Sequence, residues 1–143
     1  MSDFYFVVDP SRYYCRQEII AAAQLPAGEE WISYTLFIRV DRPEKIQVGR
    51  LGLFEFASGE YVYSGSAKRG ICARVNRHLR SGKKMRWHID YLLAASAVQI
   101  TKVRISTLAE CQLVTEAGGT VVVTGFGSSD CTQGCGSHLR RIN

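Results

Sequence analysis

The residues with the greatest chemical potential lie between Gly59 and Arg80, in the stretch GEYVYSGSAKRGICARVNRHLR. Its first half predicts a strand that carries Tyr61, Tyr63 and Gly65 on one face, because side chains alternate along a strand. The turn GSAKRG is rich in small residues that let backbone N–H groups approach an anion, and the helix start adds partial positive charge. The stretch therefore indicates phosphate contact, although many strand-to-helix turns share such a loop.

The helix after this turn carries an arginine and a histidine one turn apart. Its apolar stripe consists of Ile71, Cys72, Val75 and Leu79. Arg74 and His78 lie at the border of that stripe, whereas Arg77 and Arg80 point further out. An arginine at a half-buried border needs an anionic partner. The sequence leaves open whether that partner is a phosphate or a carboxylate of the same chain.

Positive charge is concentrated around this helix. The net charge is +5, and the segment from Lys68 to His88 contains eight Lys or Arg, two His and no acid. Most charge runs are solvated faces, but one beside a glycine turn favours contact with a polyanion. The residues expected to contact nucleic acid are Ser66, Lys68, Arg69, Arg77, Arg80, Lys83, Lys84, Arg86 and His88.

The elements that position these residues follow from hydrophobic periodicity and from glycine and proline breaks. Strands are predicted in DFYFVV, WISYTLFIRV, EYVYSG, VQITKVRIS and TVVVTG, and IQVGRLGLFEF reads as one bent strand or two short ones. Helices are predicted in SRYYCRQEIIAAAQ, GICARVNRHLR, WHIDYLLAAS and TLAECQLVTEAG. The chain then ends in a small-residue loop and a final short strand. This order predicts an α+β domain in which helices flank a small, mainly antiparallel sheet.

The bulk composition is that of a water-soluble domain of ordinary size. The chain has 143 residues, of which 46% are hydrophobic and 22% charged, and both fractions are ordinary. No apolar run approaches the roughly 20 residues needed to cross a bilayer, so no membrane association is expected. MSDFYFVVDP lacks the features of a secretory signal. We therefore expect a cytoplasmic protein whose five cysteines are thiols or metal ligands rather than disulfides.

Several motifs, taken in order, resemble the GIY-YIG nucleases. They are Tyr34 in ISYTL, the triplet Tyr63-Ser64-Gly65, Arg74 in the next helix and His78 one turn later. The chain also resembles an uncharacterised GIY-YIG-related family that is sometimes fused to the DNA glycosylase endonuclease III, through GEYVYSGSA, RVNRHLR, WHIDYLL, AEC and GFGSSDC…GSHL. The resemblance covers about residues 31–140. It implies a GIY-YIG-like domain over residues 31–143, preceded by a strand–helix extension over residues 1–30.

The resemblance implies metal-dependent hydrolysis of phosphodiester bonds in DNA, in the context of repair. Tyr34 or Tyr63 would act as the general base or orient the attacking water, Arg74 would clamp the phosphate, and His78 would position a hydroxyl or shuttle a proton. Glu110 would hold one Mg²⁺ or Mn²⁺. RNA is an alternative substrate, and a repair glycosylase is the partner implied by the fused relatives. A tyrosine needs nearby positive charge to act as a base at neutral pH, and strand tyrosines are commonly core residues with satisfied hydroxyls.

Two interpretations of Glu110 remain open. A helical wheel places it on the same side as Leu113, Val114 and Ala117, where a carboxylate is costly unless it is paired or bound to a cation. Thr107-x-x-Glu110 is also a capping box, in which Glu110 would bond back to the backbone of Thr107.

The C-terminal loop offers a different metal chemistry. Cys131, Cys135 and His138 are closely spaced, but a zinc site usually wants four ligands with CxxC-like pairs. The cysteine spacing here is C-x3-C, and the fourth ligand would be Asp130 or a distant thiol. The sequence therefore favours a glycine–serine loop beside the catalytic face, and zinc is the less favoured interpretation.

Two further functions compete with the nuclease. Ile32-Ser33 stands where the nuclease motif has a glycine before its tyrosine, and Ser64 stands where it has isoleucine. These changes favour a module that binds nucleic acid with weak or no catalysis. A thiol or zinc protein built on the C-terminal cysteines is the third candidate.

Overall fold

A six-stranded antiparallel sheet lies at the centre of the protein. The computed structural model describes residues 3–9, 18–128 and 131–143. Within these residues the strands are β1 (Phe4–Val7), β2 (Ser33–Val40), β3 (Glu44–Val48), β4 (Gly52–Phe56), β5 (Gly59–Ser66), β6 (Val98–Ser106), β7 (Thr120–Val121) and β8 (Leu139–Arg141). The helices are α1 (Ile71–Leu79), α2 (His88–Leu93) and α3 (Glu110–Ala117), with a 3₁₀ turn at Ala22–Gln24. The order in the main sheet is β1-β6-β2-β5-β8-β7, and β3 and β4 form a separate hairpin. The predicted α+β class with a mainly antiparallel sheet is confirmed.

The two central strands carry the predicted tyrosines. β2 and β5 are antiparallel partners, and their register sets Tyr34 opposite Gly65 and Leu36 opposite Tyr63. The apolar residues of β2 alternate as predicted, and Leu36 and Ile38 are fully buried. Since this face is packed against the helices, a slip of one residue would turn both tyrosines away from the core.

The first helix begins at a left-handed glycine. Gly70 has φ 65°, a conformation that costs glycine nothing, and it lets the chain turn from β5 into α1. Val75 and Leu79 are wholly buried, as the stripe predicts, but His78 is also buried, with 1% of its surface exposed. The prediction that His78 lies at the border of the apolar stripe is therefore wrong. Its ring is enclosed because Tyr34 and Trp87 pack against it.

The N-terminal strand is confirmed, but the helix predicted after it is wrong in its described part. β1 pairs with β6 at the edge of the main sheet. Residues 11–17 of the predicted helix lie outside the described residues, and residues 18–24 contain only the 3₁₀ turn. The Asn76 side chain accepts the backbone N–H groups of Ile19 and Ile20 and donates to the Ile20 carbonyl. These tertiary hydrogen bonds take the backbone groups that a helix would otherwise use.

In the described ranges, no helix is both long and apolar enough to span a bilayer.

Candidate functional site

One cleft brings together residues that are far apart in the chain. It encloses about 310 Å³ and is lined by four of the five predicted catalytic or metal-binding residues: Tyr34, Tyr63, Arg74 and Glu110. Three of the predicted nucleic-acid contacts also line it: Ser66, Arg86 and His88. β2 and β5 form its floor, and α1, the segment before α2, and the start of α3 form its walls. The fifth predicted residue, His78, lies behind Tyr34.

Both tyrosine rings are seated on glycines. A Cβ atom on Gly65 would come within 2.4 Å of the Tyr34 hydroxyl, and one on Gly127 would come within 2.7 Å of the Tyr63 ring. No larger residue fits beneath either ring without displacing it. Gly65 in the YSG triplet is therefore explained by the close approach of Tyr34 from the neighbouring strand.

The tyrosine hydroxyls are protonated near neutral pH. Burial raises the pKa of Tyr34, and the nearby charge of Arg74 lowers it by a smaller amount. Burial also raises the pKa of Tyr63 well above its usual value. The positive charge that a tyrosine base needs is present, but burial outweighs it. Each hydroxyl can therefore hold and orient a water molecule, whereas neither is a strong base in the protein alone.

His78 is held neutral beneath Tyr34. Its Nε2 lies 2.7 Å from the Tyr34 hydroxyl oxygen, and its Nδ1 has no hydrogen-bond partner among the described residues. Burial lowers the pKa of His78 to about 3, although the negative charge of Asp90 acts in the opposite direction. This pair therefore forms a hydrogen-bonded unit in which a neutral imidazole fixes the position of the tyrosine hydroxyl.

Arg74 has no carboxylate partner among the residues that the structure describes. Its Nη1 donates to the Ser66 carbonyl at 3.1 Å, and its guanidinium lies 4.6 Å from the centre of the Trp87 ring. Of the two partners considered for this arginine, a carboxylate of the same chain is not found in residues 3–9, 18–128 and 131–143. The guanidinium is instead presented to the cleft by a carbonyl and an aromatic ring, which leaves donors for an anion.

Arg77, predicted to contact nucleic acid, is partly buried at the edge of the basic residues and is paired with an acid of the same chain. Its two terminal nitrogens each lie 2.9 Å from an oxygen of Asp90, which is wholly buried. The backbone N–H groups of Arg86 and Trp87 donate to the same carboxylate. These bonds hold the pKa of Asp90 below its usual value against the effect of burial. Arg77 therefore fixes the segment before α2 instead of offering a free charge.

The remaining basic residues differ in their exposure and in their hydrogen bonding. Lys83 Nζ donates to the carbonyls of His78 and Arg80 at the end of α1, and burial lowers its pKa to about 8. The exposed members of the predicted set are Lys68, Arg69, Arg80, Lys84 and Arg86. A second cavity of about 610 Å³, here called the basic groove, is lined by Arg80, Lys83, Lys84 and Arg86, among others. Arg86 lines both this groove and the cleft.

His88 also has a defined orientation. Its Nδ1 accepts the N–H of Gly127 at 2.9 Å. In a neutral imidazole this places the proton on Nε2. His88 also lines the cleft.

Glu110 does not cap its helix through Thr107, as one of the two interpretations proposed. The helix begins at Glu110 and not at Thr107, and the N–H of Ala109 is satisfied by the Gln112 side chain at 3.1 Å. Glu110 instead lines the cleft with 28% of its side chain exposed, and its Oε2 lies 3.2 Å from Nδ1 of His138. The contact has the length of an ion pair, though not the alignment of a hydrogen bond.

A cluster of metal-ligating side chains adjoins Glu110. The sulfurs of Cys111, Cys131 and Cys135 and a ring nitrogen of His138 all lie within 4.8 Å of one another. Cys111 Sγ is 3.6 Å from Cys131 Sγ and 4.0 Å from His138 Nε2. The cluster could hold a metal ion. The sequence offered a distant thiol or Asp130 as the fourth zinc ligand. The structure supplies the thiol of Cys111, and Asp130 lies outside the described residues.

Sequence reasoning did not single out Cys111 because its separation from Cys131 follows no ligand-spacing rule. The one available signal is its position in AEC, directly after Glu110 at the start of α3.

Comparison with known proteins gives one match. A family model described as a domain of unknown function, DUF123, matches residues 33–143. No curated protein and no solved structure matches the chain.

Proposed function

The chain belongs to the DUF123 family, and we propose that its cleft hydrolyses phosphodiester bonds in DNA with the help of a divalent cation, as a GIY-YIG-type nuclease would. The observation that carries the proposal is the meeting of Tyr34, Tyr63, Arg74 and Glu110 in one cleft. Those residues come from four separate elements, and the basic groove continues from the same cleft through Arg86.

Arg74 is the residue that binds the scissile phosphate. Its guanidinium has no carboxylate partner in the described part of the chain, and the Ser66 carbonyl and the Trp87 ring orient it before the ligand arrives. Such a fork matches the geometry of a phosphate and stabilises the charge that develops on it in the transition state. His88 supplies a second donor through Nε2.

Glu110 fits a hard divalent cation such as Mg²⁺ or Mn²⁺. It is a single, partly exposed carboxylate that lines a cleft open to water, and Mg²⁺ is commonly bound by one or two carboxylates with waters completing its shell. When bound, the cation would neutralise phosphate charge and acidify a coordinated water.

The tyrosines orient the attacking water. Tyr34 is locked by His78 below it and by the neighbouring strand at Gly65, so its hydroxyl oxygen has one fixed position. A water that donates to that oxygen is held for attack. The neutral imidazole of His78 keeps the tyrosine in place, and both side chains remain uncharged in the resting protein.

A nucleic-acid-binding module without cleavage is the second candidate. It is favoured by the raised pKa of both tyrosines and by the contact between Glu110 and His138, which engages one carboxylate oxygen. On this alternative, Arg80, Lys84 and Arg86 bind the backbone, and affinity falls steeply with salt. A repair glycosylase is the partner that the GIY-YIG-related resemblance implies for either function.

A nicking assay with Mg²⁺ or Mn²⁺ on plasmid, flap and mismatched DNA tests the first proposal. We expect cleavage by the wild type and a loss of about 100-fold or more in Arg74→Ala, with a similar loss in Glu110→Gln. Arg39→Ala is the matched control, because Arg39 is an exposed arginine paired with Asp41 on the sheet, and its activity should be unchanged. Equal activity in Arg74→Ala and the wild type would refute the mechanism.

Binding measured by fluorescence anisotropy separates the two candidates. Salt-dependent binding with no cleavage on any substrate would replace the nuclease with the binding module. Affinity that stays flat between low and moderate salt would exclude the module as well.

A further inference from the structure

We infer that Cys111, Cys131, Cys135 and His138 form a zinc site of the Cys₃His type that joins the C-terminal loop to the start of α3. This zinc would be a different ion from the divalent cation proposed for the cleft, and its site does not depend on nuclease activity.

The distances fit a tetrahedral ion. With zinc–sulfur bonds of about 2.3 Å and zinc–nitrogen bonds of about 2.0 Å, neighbouring ligand atoms of a tetrahedron lie about 3.5–3.8 Å apart. The measured separations are 3.6 Å for Cys111 Sγ to Cys131 Sγ and 4.0 Å for Cys111 Sγ to His138 Nε2, with all four ligand atoms within 4.8 Å. Pairs at the upper end of this range would have to approach by about 1 Å, shared between two side chains, to close the tetrahedral shell.

The donor set selects zinc and a structural role. Three thiolates and one imidazole are soft or borderline donors, which suit Zn²⁺ and do not suit Mg²⁺. Four protein ligands leave no open coordination position, as in structural zinc sites. Arg140 donates to the carbonyls of Cys135 and Ser137, so a positive charge also lies beside a site whose thiolates carry one negative charge more than the ion neutralises.

The surrounding chain needs such a link. Between α3 and β8 the described residues contain only the two-residue strand β7 as regular structure. Six of the described glycines from Gly118 to Gly136, both included, have positive φ. Val123 and Phe126 anchor this segment in the core, and a structural metal would add folding free energy where regular structure is scarce. A disulfide would join only two of the three thiols and would leave His138 Nε2 facing sulfur without a role.

The site reaches the cleft through Glu110. With Nε2 of His138 on the ion, Nδ1 carries the proton, and that nitrogen lies 3.2 Å from Glu110 Oε2. A carboxylate behind a metal-bound histidine orients the ring and strengthens the ligand. The same contact fixes Glu110 at the cleft wall, so zinc positions the carboxylate that the proposed function uses. This last consequence alone rests on the proposed function.

The test measures zinc in the full-length chain purified under reducing conditions without chelator. We expect one zinc per chain in the wild type and in Cys72→Ser, since Cys72 is a thiol of α1 outside the cluster, and none in Cys131→Ser. The wild type reconstituted with Co²⁺ should show the d–d bands of a tetrahedral site and thiolate-to-cobalt charge transfer, a readout that needs no variant. Absence of zinc together with an octahedral cobalt spectrum would overturn the inference, as would a Cys111–Cys131 disulfide found by mass spectrometry.

Competition with a chelator tests whether the contact between Glu110 and His138 strengthens zinc binding. Glu110→Ala should weaken zinc binding about 10–100-fold, and Glu116→Ala, on the exposed side of the same helix, should not change it. Equal affinity in all three proteins would refute the link between the two sites. Because zinc is measured without nucleic acid, failure of the nicking assay and failure of this inference are distinguishable.

Discussion

The protein should become markedly less stable in mild acid, because His78 takes up a proton in the unfolded state but not in the native state. The imidazole is 1% exposed and is enclosed by Tyr34, Tyr63 and Trp87. Of the charged groups around it, Asp90 favours the protonated form, while Arg74, Arg77 and Lys83 oppose it. Burial has the largest effect, so the native state holds His78 neutral.

The magnitude follows from the two pKa values. The pKa of His78 is about 3 in the native state, against 6.5 for an unperturbed histidine. Between these values the unfolded state binds a proton that the native state does not, so stability falls as the pH falls, by about 1.4 kcal/mol per pH unit. From pH 8 to pH 5 the loss from this one group is about 2 kcal/mol. Asp90 contributes nothing in that range, because its carboxylate is ionised in both states.

Urea unfolding of the wild type and of His78→Gln at several pH values between 8 and 5 measures this loss. The glutamine can keep a hydrogen bond to Tyr34 but does not titrate. We expect the variant to be less stable at pH 8, and its free energy of unfolding to fall about 2 kcal/mol less than that of the wild type by pH 5. All other titrating groups cancel in the comparison. Parallel curves for the two proteins would refute the assignment of a neutral, buried His78.

Two further predictions concern packing around the cleft. Asp90→Asn should lower the free energy of unfolding by about 3–5 kcal/mol, because it leaves the Arg77 guanidinium without its buried partner. Asp41→Asn, which changes an exposed pair, should lower it by less than about 1 kcal/mol. Similar losses for the two variants in urea unfolding would contradict a stabilising buried ion pair. Gly65→Ala should lower the free energy of unfolding by about 1–3 kcal/mol, because the added methyl group overpacks against the Tyr34 ring. Adding Tyr34→Phe to this variant should recover part of that stability. Additive losses in the double variant would show that the two residues do not clash.

The local elements were largely predictable. The alternation of WISYTLFIRV predicts β2, the run EYVYSG predicts β5, and GICARVNRHLR predicts α1 within two residues of its ends. These patterns succeed because the period of buried side chains is set by strand and helix geometry, which depends on neighbouring residues alone. The helix predicted to end near Gln24 fails in its described part because Asn76, more than fifty residues away, takes the backbone groups of Ile19 and Ile20.

The candidate site divides in the same way. A family resemblance identified Tyr34, Tyr63, Arg74 and Glu110 as the residues of a candidate site, and the structure places them in one cleft. The resemblance did not predict the protonation state or the partners of each group. Arg77 could not be distinguished from a free cation, because its partner Asp90 lies thirteen residues on and becomes a partner only when α2 packs beside α1.

By itself, the sequence determined the secondary structure of the central strands and of α1, the basic character of the segment from Lys68 to His88, and the α+β class. Tertiary structure alone decided that His78 is buried and neutral, that Arg74 has no carboxylate partner within the described residues, and that Cys111 joins Cys131, Cys135 and His138. The physical reason is the separation along the chain of the residues that set each property. Periodicity is a property of consecutive residues, whereas burial and ligand geometry depend on which surfaces meet when the chain folds, and no spacing rule encodes that meeting.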